Sequence, residues 1–225
     1  MSNVSSQVGY WDRVALEKRF AHPLRLDWLE KYSDKQARIL DYGCGYGRTL
    51  AGLSDAGYED LFGMDFSEAM LGRCRKEVSQ SRLIRNDGNV LPLRPNSVDV
   101  VLLFAVLTCI PNSNDQRVLL AAVEHVLRPG GLIYLSDLLL NDDARNRERY
   151  QRFAESYKCY GVFELPEGVA VRHHQKEWIE ELTRSFQQLE FESFTVTTMN
   201  GNTSAAFQYL GRKALESNEV SIAAR

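Results

Sequence analysis

Hydrophobic and polar positions divide this chain into short apolar runs separated by longer amphipathic stretches. From Arg38 onward the apolar runs include ILDY, LFGMD, VDVVLLFAV and GLIYLSDLLL, and stretches such as SEAMLGRCRKEV and DQRVLLAAVEHVL lie between them. Near-continuous apolar strands that alternate with helices are typical of a parallel sheet covered on both faces. The pattern therefore predicts a doubly wound α/β domain.

Both ends of the chain depart from this alternation. Residues 10–31 carry apolar side chains at helical spacing, interrupted by His22 and Pro23, and this predicts two short helices before the sheet. Near the C-terminus, FESFTVTTMNGNTSAAFQYLGRK alternates apolar and polar positions around an NGN turn. This second pattern predicts a hairpin that adds antiparallel strands at the edge of the sheet.

Residues 141–175 are too many for a simple connection between two elements. Long insertions at the carboxyl edge of a sheet are usually lids or binding loops. We therefore predict five segments within one domain: an N-terminal helical lid (1–35), a cofactor-binding α/β core (36–140), a lid or substrate-binding insertion (141–175), a C-terminal helix with antiparallel strands (176–213) and a tail (214–225).

Composition narrows the classes of partner. The 225 residues carry a formal net charge of -3, so no broad cationic surface is available for nucleic acid. The four cysteines form no C-x-x-C pair, which gives no indication of a metal site or redox motif. No run approaches the roughly 20 apolar residues of a membrane span, and the N-terminus lacks signal-peptide features. We expect a soluble cytoplasmic protein, monomeric or homodimeric, without a membrane partner, and nucleic acid is a disfavoured partner.

Three glycines, Gly43, Gly45 and Gly47, follow the first predicted strand in ILDYGCGYGR. The first strand-to-helix turn of such a sheet normally gives a ligand its closest approach to the backbone. A dinucleotide site would read G-x-G-x-x-G, whereas here Arg48 replaces the third glycine of that motif. Asp41 would repel a pyrophosphate but could hold an ammonium group. The turn thus predicts a ligand that is cationic on one side and has no phosphate.

The ends of later strands supply further ligand contacts. Asp65 lies 18 residues after the last glycine, where an acid can accept both hydroxyl groups of a ribose. Asp87 follows the third strand and could accept from an exocyclic amine, while Phe66 and Leu91 could wall an adenine ring. The fourth strand delivers Phe104 to the same edge. An amino acid, a ribose and an adenine without phosphate describe S-adenosylmethionine.

With these motifs the sequence resembles the class I S-adenosylmethionine-dependent methyltransferases over roughly residues 36–140. ILDYGCGYGR, GMDFSEAML, NDGNVLPL, VDVVLLFAV and LRPGGLIYLSD follow the family's order. The resemblance implies a Rossmann-like, seven-stranded sheet with a C-terminal antiparallel hairpin. It also implies that the ends of successive strands bind the methionine part, the ribose and the base of S-adenosylmethionine. The cofactor-binding residues expected are Asp41, Gly43, Cys44, Gly45, Gly47, Asp65, Phe66, Asp87, Gly88 and Phe104.

Methyl transfer from a sulfonium requires mainly that the protein align the nucleophile and exclude water. A hydroxyl acceptor usually needs a base as well, and an amine must be neutral. The candidate catalytic residues are His173 and His174, before a predicted helix, and Asp137, at the end of the fifth strand. The alternatives are a solvent-exposed histidine pair and a plain strand-end acid.

Aromatic residues are candidates for substrate contacts. We expect Tyr10 and Trp11 to close over the cofactor, with packing of the first helix as the alternative, and Tyr157 and Tyr160 to form a lid. Aromatic walls suit a flat or cationic acceptor. The nearby run RNRERYQR is either a solvated helical face or a set of arginines that meets an anionic substrate group.

The acceptor is the least determined part of the function. Families that methylate nucleobase amino groups carry D/N-P-P-Y/F after the fourth strand, where this chain reads FAVL, and no basic tract is present. We predict transfer of a methyl group to an oxygen or nitrogen of a small-molecule acceptor. The alternatives are a tRNA or protein methyltransferase and a non-methylating S-adenosylmethionine-binding protein. A nicotinamide dehydrogenase is disfavoured by the glycine spacing.

Overall fold

The structure is a computed structural model that describes residues 2–17, 19–86 and 91–215. Its helices are α1 (Ser2–Val14), α2 (Leu26–Tyr32), α3 (Arg48–Asp55), α4 (Glu68–Glu77), α5 (Ser113–Val126), α6 (Ala144–Tyr157) and α7 (Lys176–Leu182). Its strands are β1 (Ile39–Tyr42), β2 (Leu61–Asp65), β3 (Arg82–Arg85), β4 (Val98–Phe104), β5 (Leu127–Leu138), β6 (Val162–Glu164), β7 (Ala170–Arg172), β8 (Phe186–Thr197) and β9 (Thr203–Lys213). None of these helices is long and apolar enough to cross a membrane.

Seven of the strands form one sheet in the order β3-β2-β1-β4-β5-β9-β8. Strands β1 to β5 are parallel, and β9 and β8 add an antiparallel pair at one edge. The chain builds outward from β1 to β3 and then returns to β4 on the other side of β1. The predicted doubly wound, seven-stranded sheet with a C-terminal hairpin is confirmed.

Strand β4 shows why the sheet must be covered on both faces. Val101 and Leu103 pack into one apolar cluster with α5, whereas Val100 and Leu102 pack into another with α3. All four side chains are completely buried. Successive residues of a strand point to opposite faces, so an uninterrupted apolar run requires two covering layers. The layers leave the carboxyl ends of the strands as the open edge.

Side-chain caps fix where the helices begin at that edge. The side-chain oxygens of Ser67, Asn112 and Asp143 accept backbone N–H groups from the first turns of α4, α5 and α6. Such caps typically contribute about 1 kcal/mol each to helix stability. They place three helix N-termini beside the loops that follow β2, β4 and β5.

Two segments differ from the expectation in detail. Helix α1 begins at Ser2 rather than near residue 10, and tertiary contacts hold it: Gln7 Nε2 donates to Ala170 O at 3.0 Å, and Ser67 Oγ donates to Asp12 Oδ1 at 2.5 Å. The insertion 141–175 folds as α6 followed by the β6–β7 hairpin. The division into lid, core and insertion stays a prediction.

Gly161→Ala tests how tightly this insertion is packed. Gly161 has a φ of 102°, and a Cβ there would collide with the backbone carbonyl of His173 and lie 2.9 Å from Leu140 Cδ2. We expect a loss of about 2–5 kcal/mol in the free energy of unfolding, from backbone strain and overpacking together. Urea unfolding followed by circular dichroism measures it.

Gly168→Ala is the matched control for this substitution. Gly168 also has a positive φ, 78°, but nothing lies within 4 Å of the added Cβ. The loss in the free energy of unfolding should therefore come from backbone strain alone and amount to about 1–2 kcal/mol. Equal losses for the two variants would show that Gly161 is not held against the His173 backbone.

Candidate functional site

A cavity of about 400 Å³ lies at the carboxyl ends of β1, β2 and β4. Asp41, Asp65 and Phe104 reach it from these three strands, and Gln7 and Trp11 of α1 cover it from the other side. The cavity thus sits where the strand order reverses, which is where open α/β sheets bind their ligands. Helix α1 belongs to the wall of the cavity and is not a remote appendage.

The glycine turn after β1 adopts left-handed backbone conformations throughout. Gly43, Gly45 and Gly47 have φ values of 74°, 53° and 86°. A Cβ at Gly43 would lie 2.6 Å from Val106 Cγ2, and one at Gly47 would lie 2.5 Å from Cys74 Sγ. Gly43 and Gly45 line the cavity, whereas Gly47 is the N-cap residue of α3 and faces protein. Packing within the protein would therefore exclude a side chain at Gly43 and at Gly47 even without a bound ligand.

Asp65 ties the glycine turn to the turn after β2. Its Oδ2 accepts the N–H of Gly45 at 2.8 Å, and its Oδ1 accepts the N–H of Ser67 at 2.9 Å. Burial raises the pKa of the carboxyl, while these backbone N–H groups act in the opposite direction. The side chain remains part of the cavity lining. Its assignment to the ribose hydroxyls stays a prediction.

Asp41 is a buried carboxylate with an unsatisfied oxygen. Its side chain is 1% exposed, and Oδ2 has no hydrogen-bond partner. Burial raises the pKa of Asp41 to about 7, against the opposing charge of Arg48. Gln7 supplies a second orphan acceptor, Oε1, in the same lining. Because unpaired buried acceptors are costly, both oxygens fit a ligand that brings N–H donors, such as an amino acid.

The other expected cofactor residues divide into two groups. Cys44, Phe66 and Phe104 line the cavity as predicted. Asp87 and Gly88 lie outside the described residues, and the preceding Asn86 lines the cavity. The base-binding assignment therefore stays a prediction.

The predicted aromatic lid is only partly at the cavity. Trp11 lines it, and Tyr10 packs against Trp11 with 5.0 Å between ring centroids but is not itself in the lining. Tyr157 donates to Glu164 Oε1 at 2.7 Å, and Tyr160 is exposed. These two tyrosines line neither this cavity nor its neighbour.

A second cavity of about 100 Å³ adjoins the first and shares Phe20, His22 and Ala105 with it. Its other walls come from α6, the β6–β7 hairpin and the turn between β8 and β9, including Arg149 and Phe163. Ala105 follows β4 with a φ of 57°, a conformation that L residues rarely adopt. The shared residues mark the junction between the two spaces.

The predicted catalytic residues are buried, so the solvent-exposed alternative for the histidines is wrong. His174 contacts Gln116 Nε2 at 3.0 Å, and Asp137 accepts the N–H of Thr108 at 3.1 Å; neither residue lines either of these two cavities. His173 lines the second cavity. Burial lowers the pKa of His174 to about 3 and raises that of Asp137 to about 7. Their catalytic assignment stays a prediction.

His22 is a site residue that sequence reasoning missed. It is 6% exposed, it lines both cavities, and its Nδ1 lies 2.9 Å from Ser136 Oγ. Burial, reinforced by the charge of Arg48, lowers the pKa of His22 to about 4, so the ring is neutral at physiological pH. The sequence shows it only as a helix interruption, because its partner is 114 residues away.

Comparisons with known proteins agree with this geometry. Residues 40–135 match the methyltransferase domain family. The match and the curated relatives support a class I S-adenosylmethionine-dependent methyltransferase. The match covers the glycine turn, Asp65, all of β4 and most of β5. The predicted enzyme class and cofactor are thereby confirmed, and the orphan acceptors Asp41 Oδ2 and Gln7 Oε1 fit the ammonium group of that cofactor.

The methyltransferase is similar to two curated proteins of quinone metabolism. It is 27% identical over 197 residues to demethylmenaquinone methyltransferase of Staphylococcus aureus (strain MRSA252), covering 80% of this chain and 77% of that protein. It is 29% identical over 140 residues to ubiquinone biosynthesis O-methyltransferase of Azoarcus sp. (strain BH72), covering 59% and 58%.

A solved structure shares the fold across nearly the whole chain. The crystal structure of an S-adenosylmethionine-dependent methyltransferase from Methanosarcina mazei matches with a TM-score of 0.80 at 22% identity, covering 87% of this chain and all of that one. At this identity the likeness describes the fold and not the acceptor.

The affinity for S-adenosylmethionine should fall as the pH decreases through about 7. Asp41 must be ionised to pair with the ammonium group, and its raised pKa means that it becomes protonated in this range. Between pH 7.5 and 5.5 we expect a loss of roughly ten- to thirtyfold in affinity. Calorimetric titration at each pH measures it, with NAD as a ligand control.

Asp41→Asn tests the cause of this pH dependence. The variant should bind more weakly at pH 7.5 and lose most of the pH dependence. Because the folded-state pKa of Asp41 lies above its unfolded value, the ionised carboxyl destabilises the unliganded fold above about pH 7. The variant should therefore unfold at higher urea concentration at pH 8. A wild-type affinity that is constant over this pH range would contradict the assignment.

Proposed function

We propose that this methyltransferase transfers the methyl group of S-adenosylmethionine to an oxygen or nitrogen of a small-molecule acceptor held in the second cavity. The observation that carries the proposal is this cavity of about 100 Å³, which adjoins the cofactor cavity at Phe20, His22 and Ala105. A space of this size suits a compact molecule better than a nucleic-acid strand or a protein segment. The names of the two curated relatives, which refer to quinone compounds, support the same class.

S-adenosylmethionine supplies an electrophilic methyl group on a positively charged sulfur. Asp41 would hold its ammonium group and Asp65 its ribose, as proposed from their positions in the lining. The protein's remaining task is to orient the acceptor and exclude water, which can contribute about 7–11 kcal/mol to lowering the barrier. Trp11 and Phe20 pack together with 5.8 Å between ring centroids and provide the apolar cover.

A hydroxyl acceptor must lose a proton, and His22 is placed to receive it. Its Nδ1 lies beside Ser136 Oγ, and its Nε2 has no hydrogen-bond partner among the described residues. With the ring proton on Nδ1 and donated to Ser136, Nε2 is a proton acceptor at the junction. A pKa of about 4 makes His22 a weak base, but it keeps the ring unprotonated at physiological pH.

His174 and Asp137 would act on the reaction only by positioning other groups. Asp137 holds the backbone after β4 through the N–H of Thr108, and His174 Nδ1 lies 3.1 Å from the carbonyl oxygen of Leu138. His173 lines the second cavity, but its Nδ1 is engaged with Tyr150. Of these three histidines, His22 is favoured as the proton acceptor because it lines both cavities, whereas His173 lines only the second and His174 lines neither.

An acceptor screen tests the proposed function. The purified protein is incubated with S-adenosylmethionine and either phenols, catechols, hydroxyquinones and amines or, separately, tRNA and a protein mixture. Formation of S-adenosylhomocysteine is measured, and the methylated atom is identified by mass spectrometry. We expect turnover with at least one small-molecule class and background rates with the macromolecules. Methylation of tRNA or protein alone would overturn the proposal.

Substitution of each histidine separates the candidate bases. With a hydroxyl acceptor, His22→Ala should lower kcat by roughly 10²- to 10⁴-fold, the usual contribution of a general base, while cofactor affinity changes little. His173→Ala and His174→Ala should lower kcat less than His22→Ala does. His125→Ala, on the exposed face of α5, is the control. Equal kcat for His22→Ala and His125→Ala would remove His22 from the mechanism.

A further inference from the structure

The second cavity is positively charged on one side. Arg145 and Arg149 lie four residues apart on α6, and this spacing puts both on one face of the helix, where both line the cavity. No aspartate or glutamate occurs among the described residues of this lining. Burial keeps the two histidines of the lining, His22 and His173, neutral by lowering their pKa values. Outside the lining, Asp143 Oδ1 lies 4.0 Å from Arg145 Nε, so within the cavity it is Arg149 that lacks an acidic partner.

Arg149 is held in place without an acidic partner. Its guanidinium carbon lies 3.5 Å from the centroid of the Phe163 ring, and its Nε is buried with no hydrogen-bond partner. No described carboxylate lies within 4.0 Å of it, whereas Arg152 on the same helix pairs with Glu148 at 2.8 Å. Burial lowers the pKa of Arg149, which reflects the cost of this uncompensated charge. A ligand anion would relieve that cost.

His173 adds a neutral ring beside this charge. Tyr150 Oη lies 2.7 Å and Asn141 Nδ2 3.3 Å from His173 Nδ1. Its Nε2 has no hydrogen-bond partner among the described residues. This nitrogen is therefore available for a polar contact with a ligand in the cavity.

Apolar groups complete the walls. Phe20, Phe163, Leu165, Val171 and Met199 surround the remaining space. A ligand that fits must therefore combine an anionic end for the arginines with a compact apolar body. Guanidinium groups bind carboxylates through a planar, two-pronged geometry.

We propose that Arg149, assisted by the more exposed Arg145, binds a carboxylate of the acceptor, so that the substrate is a small carboxylic acid with an aromatic or other apolar body. The inference rests on the proposed function, since it takes the second cavity as the acceptor site. The carboxylate serves as the recognition group, and the methylated oxygen or nitrogen lies at the other end of the molecule, toward His22. Binding of the carboxylate would be the role of the two arginines of RNRERYQR that line the cavity, Arg145 and Arg149.

Binding measurements with matched probes test this inference without turnover. Calorimetric titrations use the protein saturated with S-adenosylhomocysteine and compare 4-hydroxybenzoate with its neutral isostere 4-hydroxybenzamide, and benzoate with benzamide. For the wild type we expect the carboxylates to bind roughly ten- to a hundredfold more tightly, the usual effect of a charge-assisted pair. Phenyl phosphate is included as a second anion, and tighter binding of it than of benzoate would overturn the choice of carboxylate.

Three variants locate the effect. Arg149→Gln should reduce the preference for carboxylate over carboxamide to within about threefold, and Arg149→Lys should restore part of it because the charge is kept. Arg147→Gln is the matched control, since Arg147 is exposed on the same helix and does not line the cavity. Affinity for S-adenosylhomocysteine, measured in parallel, shows that each variant is folded.

The outcomes separate this inference from the proposed function. Equal binding of carboxylates and carboxamides, no binding of any carboxylate, or an unchanged preference in Arg149→Gln would overturn the inference. When 4-hydroxybenzoate is added to the acceptor screen, turnover confined to the neutral acceptors would overturn the inference while leaving the proposed function intact. Carboxylate binding that depends on Arg149, together with methylation of macromolecules alone, would uphold the anion site and overturn the proposed function.

Discussion

The parallel pairing of β1 with both β2 and β4 is the constraint on which the site depends. Asp41 on β1 lies in register with Gly63 on β2 and with Leu102 on β4, so these three strands end together. The chain must leave β1 through a turn that clears both neighbours, and that turn is GCGYG. Asp65 then fastens the turn through the N–H of Gly45. The cofactor cavity follows from the sheet order, since helices cover both faces and leave this edge open.

Part of the free-energy cost of function lies beside the two cavities. Asp41 Oδ2, Gln7 Oε1 and Arg149 Nε are buried without partners, and Ala105 has a left-handed backbone conformation. Ordinary surface arginines are compensated, as in the pairing of Arg38 and Arg82 with Asp60. A protein selected for stability alone would satisfy or remove the unpaired groups. Their retention at the cavity walls indicates that ligands provide the missing partners.

The sequence indicated many of the residues that line the first cavity and few that line the second, for a physical reason. Strand ends, the glycine turn and Asp65 are set by short-range pattern, so their meeting follows once the sheet is parallel. The second cavity is assembled by contacts between distant segments, such as His22 with Ser136. The sequence placed the start of helix α1 near residue 10 instead of at Ser2, because the polar turn around Gln7 is held by tertiary contacts. Tyr157 and Tyr160 looked like lid residues because aromatic content alone does not specify which way a side chain faces.

The two cavities carry opposite charge, and this opposition suits the reaction. Buried carboxylates, Asp41 and Asp65, lie on the cofactor side, and Arg145 and Arg149 lie on the other. The junction residue His22 is neutral, so no charged histidine lies between the carboxylates of the first cavity and the arginines of the second. An ammonium group would find carboxylates only in the first cavity, whereas arginines line both cavities, Arg48 the first and Arg145 and Arg149 the second. Asp41 and Arg149 would thus hold each molecule at the end away from the junction, so that the methyl-bearing sulfonium and the acceptor atom meet there, which is the alignment that an in-line transfer requires.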